Sequence, residues 1–146
     1  MRVFQAILLG GTVLAAACGG GASGGTAGGG AGNASSASVS ATMSDKDIVL
    51  DQASVSAGKV TFKVKNAGTV VHSMVVIKTN LDEAKLPADA KDPGKVDERG
   101  SLGATGQIAK GDAKDLTLEL SSGKYVLVCN EPAHYIVGMH VAFTVK

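Results

Sequence analysis

The sequence lacks an excess of charge of one sign, a set of paired cysteines and a long uninterrupted hydrophobic run. Its 14 lysines and arginines nearly balance 13 aspartates and glutamates, for a formal net charge of +1. Such a chain has no basic face to hold a phosphate backbone, so we expect no nucleic acid among its partners. The two cysteines, Cys18 and Cys129, lie in very different contexts, and we expect no disulfide between them.

The hydrophobic run at the N-terminus is too short for a membrane helix. It extends from Val3 to Ala17 after Arg2, and it is interrupted by Gln5, Thr12 and two glycines. It ends in three alanines, the small residues that a signal peptidase requires near its cut. Residues 1–18 are therefore predicted to be a secretory signal peptide.

The predicted signal ends at Cys18, which has the context of a lipidated cysteine. The segment from Leu14 to Cys18 resembles a bacterial lipobox, although Ala15 holds the place where leucine is usual. We expect Cys18 to carry a lipid that anchors the chain to a membrane. The protein would then lie in the periplasm or on the outer face of the cell membrane; ordinary cleavage and release is the alternative.

A low-complexity segment follows the signal. Residues 19–42 are almost wholly Gly, Ala, Ser and Thr, and they have too little apolar area to offset the entropy of ordering them. We predict a flexible linker there. The remaining residues, 43–146, have the common length of one domain.

Alternating apolar residues predict that this domain is all-β. Val60, Phe62 and Val64 alternate with polar residues in KVTFKVKN. That spacing is typical of a strand with one buried face. The run Val70–Lys78 predicts a more deeply buried strand, and Met139–Lys146 predicts the last one.

The segments between these strands predict loops and a hairpin. Thr79–Gly111 is polar and contains prolines, so we expect loops with one short helical turn near Asp82–Lys85. DLTLEL and KYVLVC, separated by Ser121–Gly123, predict a two-stranded hairpin. Several short strands with turns between them favour a β-sandwich with Greek-key connections.

Three metal-binding residue types recur at fixed spacing late in the chain. In CNEPAHYIVGMH, four residues separate Cys129 from His134 and four more separate His134 from Met139. Thiolate, imidazole and thioether form the donor set that suits copper in both of its oxidation states. A further imidazole is available from His72, which lies far upstream in a predicted strand. These residues predict a site for one copper ion.

With these motifs the chain resembles the cupredoxins, the small blue-copper proteins, from about Met43 to Lys146. The resemblance rests on GKYVLVC, on the two four-residue gaps and on the closing GMHVAFTVK. The gaps are most similar to those of the auracyanin, rusticyanin and sulfocyanin subgroup. The resemblance implies a Greek-key β-sandwich that holds one copper ion cycling between Cu(I) and Cu(II).

The resemblance also implies roles for individual residues. It implies three equatorial copper ligands and a weak axial one: His72, Cys129, His134 and, in the axial position, Met139. In the family, the loop histidine lies near the surface and serves as the electron port, which here is His134. The apolar neighbours of that histidine would form a docking patch: Tyr135, Ile136 and Val137.

The chain departs from the family pattern at two places beside the ligands. Ser73 follows the first histidine where asparagine is common, while Asn130 follows the cysteine. We expect both Ser73 and Asn130 to contribute the outer hydrogen bonds that orient ligands and tune a metal. The second departure is Ala133, which precedes the loop histidine where glycine is frequent.

These features predict a one-electron carrier and not an enzyme. All coordination positions would be filled by protein, whereas catalytic metal sites keep one open. The expected donor is a membrane oxidoreductase, and the expected acceptor is a terminal oxidase, a reductase or a reaction centre, with the carrier acting as a monomer. The first alternative is a periplasmic copper delivery or storage protein. The second is a zinc site formed by Cys129, His134 and His140, although strand alternation predicts His140 at the surface.

Overall fold

Two β-sheets form the part of the chain that the structure describes. The computed structural model describes residues 35–146, and in that range it contains nine strands and no α-helix. In chain order the strands are β1 (Ser36–Met43), β2 (Ile48–Leu50), β3 (Ser54–Val55), β4 (Gly58–Asn66), β5 (His72–Lys78), β6 (Ser101–Ile108), β7 (Ala113–Leu120), β8 (Gly123–Cys129) and β9 (His140–Val145). Among these described residues, no helix is long and apolar enough to cross a membrane.

The sheets pack face to face around one main apolar core. One sheet has the strand order β2-β1-β4-β7, and the other has the order β3-β9-β8-β5-β6. Alternate residues of β4 and β8, such as Phe62 and Leu127, point between the sheets and are fully buried. Phe62 meets Phe143 of β9 edge to face, with ring centroids 5.4 Å apart. The predicted β-sandwich is therefore confirmed.

The domain begins earlier than the sequence predicted. β1 lies within the predicted linker over residues 36–42, so that part of the linker prediction is wrong. Val39 and Ala41 are buried in the core, and β1 pairs with β4 along its whole length. Apolar residues do alternate with Ser and Thr in this strand, but two of the apolar residues are alanines, so the pattern resembles low-complexity sequence. The predicted signal peptide, Cys18 and linker residues 19–34 lie outside the described residues.

The predicted hairpin of β7 and β8 is also wrong. β7 pairs with β4, with Leu118 opposite Val60, whereas β8 pairs with β5 and β9 in the other sheet. The chain thus crosses the sandwich between the two strands. Alternation identifies which face of a strand is buried but not which strand lies beside it.

The long predicted loop contains one strand that the sequence did not reveal. β6 pairs with β5 and forms an edge of the five-stranded sheet, where half of its residues are exposed. Only Ile108 of β6 is buried, so the strand has no run of alternating large apolar residues, and Gly103 and Gly106 weaken its propensity further. The turn expected near Asp82–Lys85 is present, because the backbone N–H of Lys85 donates to the carbonyl of Asp82 at 2.9 Å.

Candidate metal centre

Two neighbouring strands bring the upstream histidine to the cysteine. His72 is the first residue of β5 and Cys129 is the last residue of β8, and in this antiparallel pair Met74 lies opposite Cys129. The backbone N–H of Ser73 donates to Sγ of Cys129 at 3.5 Å. The N–H of Asn130 donates to the carbonyl of Ser73 at 3.0 Å. Both segments are therefore held together by backbone hydrogen bonds.

The loop between β8 and β9 folds back on itself and brings in the second histidine. The N–H of Cys129 donates to the carbonyl of Met139 at 2.9 Å, and the N–H of Met139 donates to the carbonyl of His134 at 3.1 Å. Met139 is fully buried, while His134 is partly exposed. Gly138 packs against the loop before β2, since a Cβ there would lie 3.2 Å from the carbonyl oxygen of Lys46.

Three side chains converge on one point. Sγ of Cys129 lies 3.6 Å from Nδ1 of His72 and 3.3 Å from Nδ1 of His134, and the two Nδ1 atoms are 3.1 Å apart. Donor atoms that share one first-row metal ion at bond lengths of about 2.0–2.3 Å lie roughly 3–4 Å from one another. The observed separations fall in that interval. These three residues, with Met139 joined to two of them through its backbone, fit one copper ion.

Comparisons with solved structures support the β-sandwich architecture described above. No protein-family model and no curated protein matches the chain. Solved structures do match: reduced auracyanin from Roseiflexus castenholzii is 23% identical, and the match covers 76% of this chain and 96% of that one, with a TM-score of 0.53. Reduced rusticyanin is 21% identical over 76% of this chain and 79% of its own, with a TM-score of 0.54.

The chain has the cupredoxin fold. A further match is auracyanin A, the "blue" copper protein of Chloroflexus aurantiacus, at 17% identity over 75% of this chain and 99% of that one, with a TM-score of 0.50. Identities this low establish the cupredoxin fold alone, so the chemistry must be argued from the site residues.

Burial shifts the pKa of two residues of the three-donor cluster. Desolvation raises the pKa of the Cys129 thiol above its ordinary value. Burial, and after it the proximity of His72, lowers the pKa of His134. His134 is therefore a neutral imidazole near pH 7, the form that can bind a metal, whereas Cys129 would have to lose its proton in order to bind one.

The two residues predicted to supply outer hydrogen bonds, Ser73 and Asn130, make different kinds of contact. Ser73 acts through its backbone, as described above. The side chain of Asn130 is buried: its Oδ1 accepts from the N–H of Val96 at 2.7 Å, and its Nδ2 donates to the carbonyl of Val96 at 3.1 Å and to Glu98 at 2.6 Å. Asn130 thus ties the ligand loop to the segment before β6.

Sequence reasoning missed two further residues beside His72. Asn66 is fully buried, and its Nδ2 donates to the carbonyl of Val70 at 2.8 Å and to that of Ile108 at 2.9 Å, which fixes the turn leading into β5. Oδ1 of Asp45 lies 3.2 Å from Nε2 of His72. Asp45 is 27 residues away in sequence, and no local pattern marks it as a partner.

The predicted docking residues divide into two groups. Ile136 and Val137 are 70% and 58% exposed. Tyr135 is instead half-buried: its hydroxyl donates to the carbonyl of Glu83 at 2.8 Å and accepts from the N–H of Leu86 at 2.9 Å. Tyr135 therefore helps to hold the loop in place, and only Ile136 and Val137 are well exposed.

The prediction that His140 is a surface residue is wrong. Its side chain is only 18% exposed, and its ring centroid lies 5.0 Å from that of Tyr135, which covers this side of β9. His140 is also absent from the three-donor cluster, whose second imidazole comes from His72. The arrangement proposed for zinc, with His140 as a ligand, is not the one that the fold assembles.

Proposed function

We propose that this protein is a blue-copper electron carrier whose single copper ion is held by His72, Cys129, His134 and Met139. The observation that carries the proposal is the convergence of one thiol sulfur and two imidazole Nδ1 atoms within 3.6 Å of each other. Of the common donor sets, a thiolate and two imidazoles, completed by the thioether of Met139, suit a metal that alternates between Cu(II) and Cu(I). When bound, the copper supplies one-electron redox chemistry.

The protein supplies rigidity and exclusion of water. His72 and Cys129 lie at the facing ends of paired strands, and both are fully buried with Met139. A backbone held by strand pairing and by loop hydrogen bonds changes little between two redox states, so little reorganisation opposes electron transfer. With four protein donors no position is left for a substrate, which favours a carrier over an enzyme.

Electrons would enter and leave through His134, the one partly exposed member of the cluster. Ile136 and Val137 follow it closely and give the surface an apolar character suited to brief contacts with redox proteins. We propose a membrane oxidoreductase as donor and an oxidase, reductase or reaction centre as acceptor. Export through the segment 1–18 and lipidation of Cys18 would keep the carrier at the outer face of a membrane, near both partners.

Reversible cycling of the copper-loaded protein tests this proposal. The full chain should bind one copper per molecule, turn intensely blue or green when oxidised, bleach on addition of one electron and recover on reoxidation. Met139→Leu should keep the colour and raise the reduction potential, because loss of the thioether weakens Cu(II) binding more than Cu(I) binding. A site that binds copper but stays colourless, or that cannot be cycled, would indicate copper delivery or storage instead.

A further inference from the structure

A carboxylate contacts the far side of the upstream ligand. His72 presents Nδ1 to the three-donor cluster, and its other ring nitrogen, Nε2, lies 3.2 Å from Oδ1 of Asp45. Asp45 lies in the turn between β1 and β2, and its side chain is 37% exposed, whereas His72 is fully buried. The imidazole thus bridges the metal centre and a negatively charged group near the surface.

Asp45 is held in place by more than this one contact. Its Oδ1 accepts from the backbone N–H of Thr69 at 2.7 Å, and its Oδ2 accepts from the hydroxyl of the same residue at 2.6 Å. An aspartate is ionised near neutral pH, and two hydrogen bonds donated to its oxygens favour the ionised form further. The hydrogen bonds between Asp45 and Thr69 therefore join the β1–β2 turn to the turn before β5.

The chemistry of the two groups fixes the tautomer of the histidine. An ionised carboxylate only accepts hydrogen bonds, so Nε2 of His72 must carry the proton. The lone pair then lies on Nδ1, which points at Cys129 and His134. Carboxylate–histidine pairs of this kind orient the ring and raise the basicity of the coordinating nitrogen.

We propose that Asp45 is the positioning residue of His72 and that its charge lowers the reduction potential of the copper centre. A negative charge that hydrogen-bonds a coordinating imidazole would stabilise Cu(II) more than Cu(I), because the oxidised ion carries one more positive charge. The inference rests on the proposed function, since it concerns the same site.

Asp45→Asn isolates the charge with little change of shape. The amide oxygen can accept from Thr69 and His72 as Oδ1 does, and the amide nitrogen in place of Oδ2 can donate to the Thr69 hydroxyl. Asp45→Ala also removes the acceptor. Asp47→Asn is the matched control, because Asp47 has the same charge in the same turn but hydrogen-bonds Ser44 and not His72.

The test is the reduction potential of the copper-loaded full chain and of each variant, measured with the visible spectrum. We expect Asp45→Asn to keep the colour and to weaken Cu(II) relative to Cu(I) by about tenfold, which is a rise of about 59 mV for one electron. Asp45→Ala should raise the potential at least as much and weaken Cu(II) binding by about 10–100-fold. Asp47→Asn should shift the potential far less, because its charge is screened by solvent.

The outcomes separate this inference from the function on which it rests. If the unmodified chain forms no coloured copper site, the proposed function fails. If that chain is blue but Asp45→Asn leaves the potential unchanged, lowers it or shifts it no more than Asp47→Asn does, the proposed function stands and the role of Asp45 is overturned.

Discussion

A Cβ on Gly68 would lie 2.2 Å from Oδ1 of Asp45 and 2.5 Å from Nε2 of His72. The hydrogen bond between the carboxylate and the imidazole therefore exists only because residue 68 has no side chain. The backbone N–H of Gly68 in turn donates to Oδ1 of Asn66 at 2.8 Å, so the glycine cannot simply move away. The turn before β5 is built around this contact.

Gly68→Ala should force Asp45 away from His72 while leaving the charge of the chain unchanged. Because overpacking a tight site typically costs about 1–3 kcal/mol, we expect a loss of that size in the free energy of unfolding. The copper potential should rise, in the same direction as in Asp45→Asn. Denaturant unfolding and voltammetry measure the two effects. Gly94→Ala is the control, since the nearest atom to its new Cβ would be 3.3 Å away; equal effects of the two substitutions would contradict the account.

Ala133 is the one described non-glycine residue with a positive φ, at 67°. The left-handed conformation costs an L-residue roughly 1–2 kcal/mol. Glycine avoids this cost, but its unfolded state is more flexible, so part of the gain is offset by the larger entropy that it loses on folding. Ala133→Gly should therefore stabilise the protein by about 0.5–1 kcal/mol in denaturant unfolding.

A second alanine provides the contrast for that prediction. Ala104 is exposed in β6, where ordinary strand geometry gives glycine no advantage. Ala104→Gly should destabilise the protein by about 0.5–1 kcal/mol. The same sign of change in both variants would show that the backbone at residue 133 is not strained.

β1 should be essential to the fold although its composition resembles a linker. Val39 is fully buried opposite Phe62, whereas the neighbouring Ser38 is exposed. Val39→Asp would bury an unpaired charge and should lower the free energy of unfolding by more than about 3 kcal/mol. Ser38→Asp should change it by less than about 0.5 kcal/mol. If both variants were equally stable, residues 36–42 would be a linker after all.

The grouping of the donor residues was easier to predict from the sequence than the pairing of the strands. Cys129, His134 and Met139 are predictable because they lie on one short loop, and His72 because it lies in an apolar run that had to be a strand. Asp45 was not predictable, since its contact with His72 depends on two turns that meet only in the folded chain. Strand partners were missed for a similar reason: Leu118 alternates with polar neighbours and Leu127 lies in an apolar run, but neither pattern indicates that the two residues belong to different sheets.

In the proposed site, the sulfur of Cys129 binds copper together with two imidazoles. This coordination is tested most directly by the visible absorption spectrum of the oxidised, copper-loaded full chain, compared with that of Cys129→Ser. We predict an intense charge-transfer band in the unmodified protein and its complete loss in the variant, because a serine oxygen cannot supply the sulfur-to-copper transition. A band of equal intensity in Cys129→Ser, or none in the unmodified protein, would contradict the account.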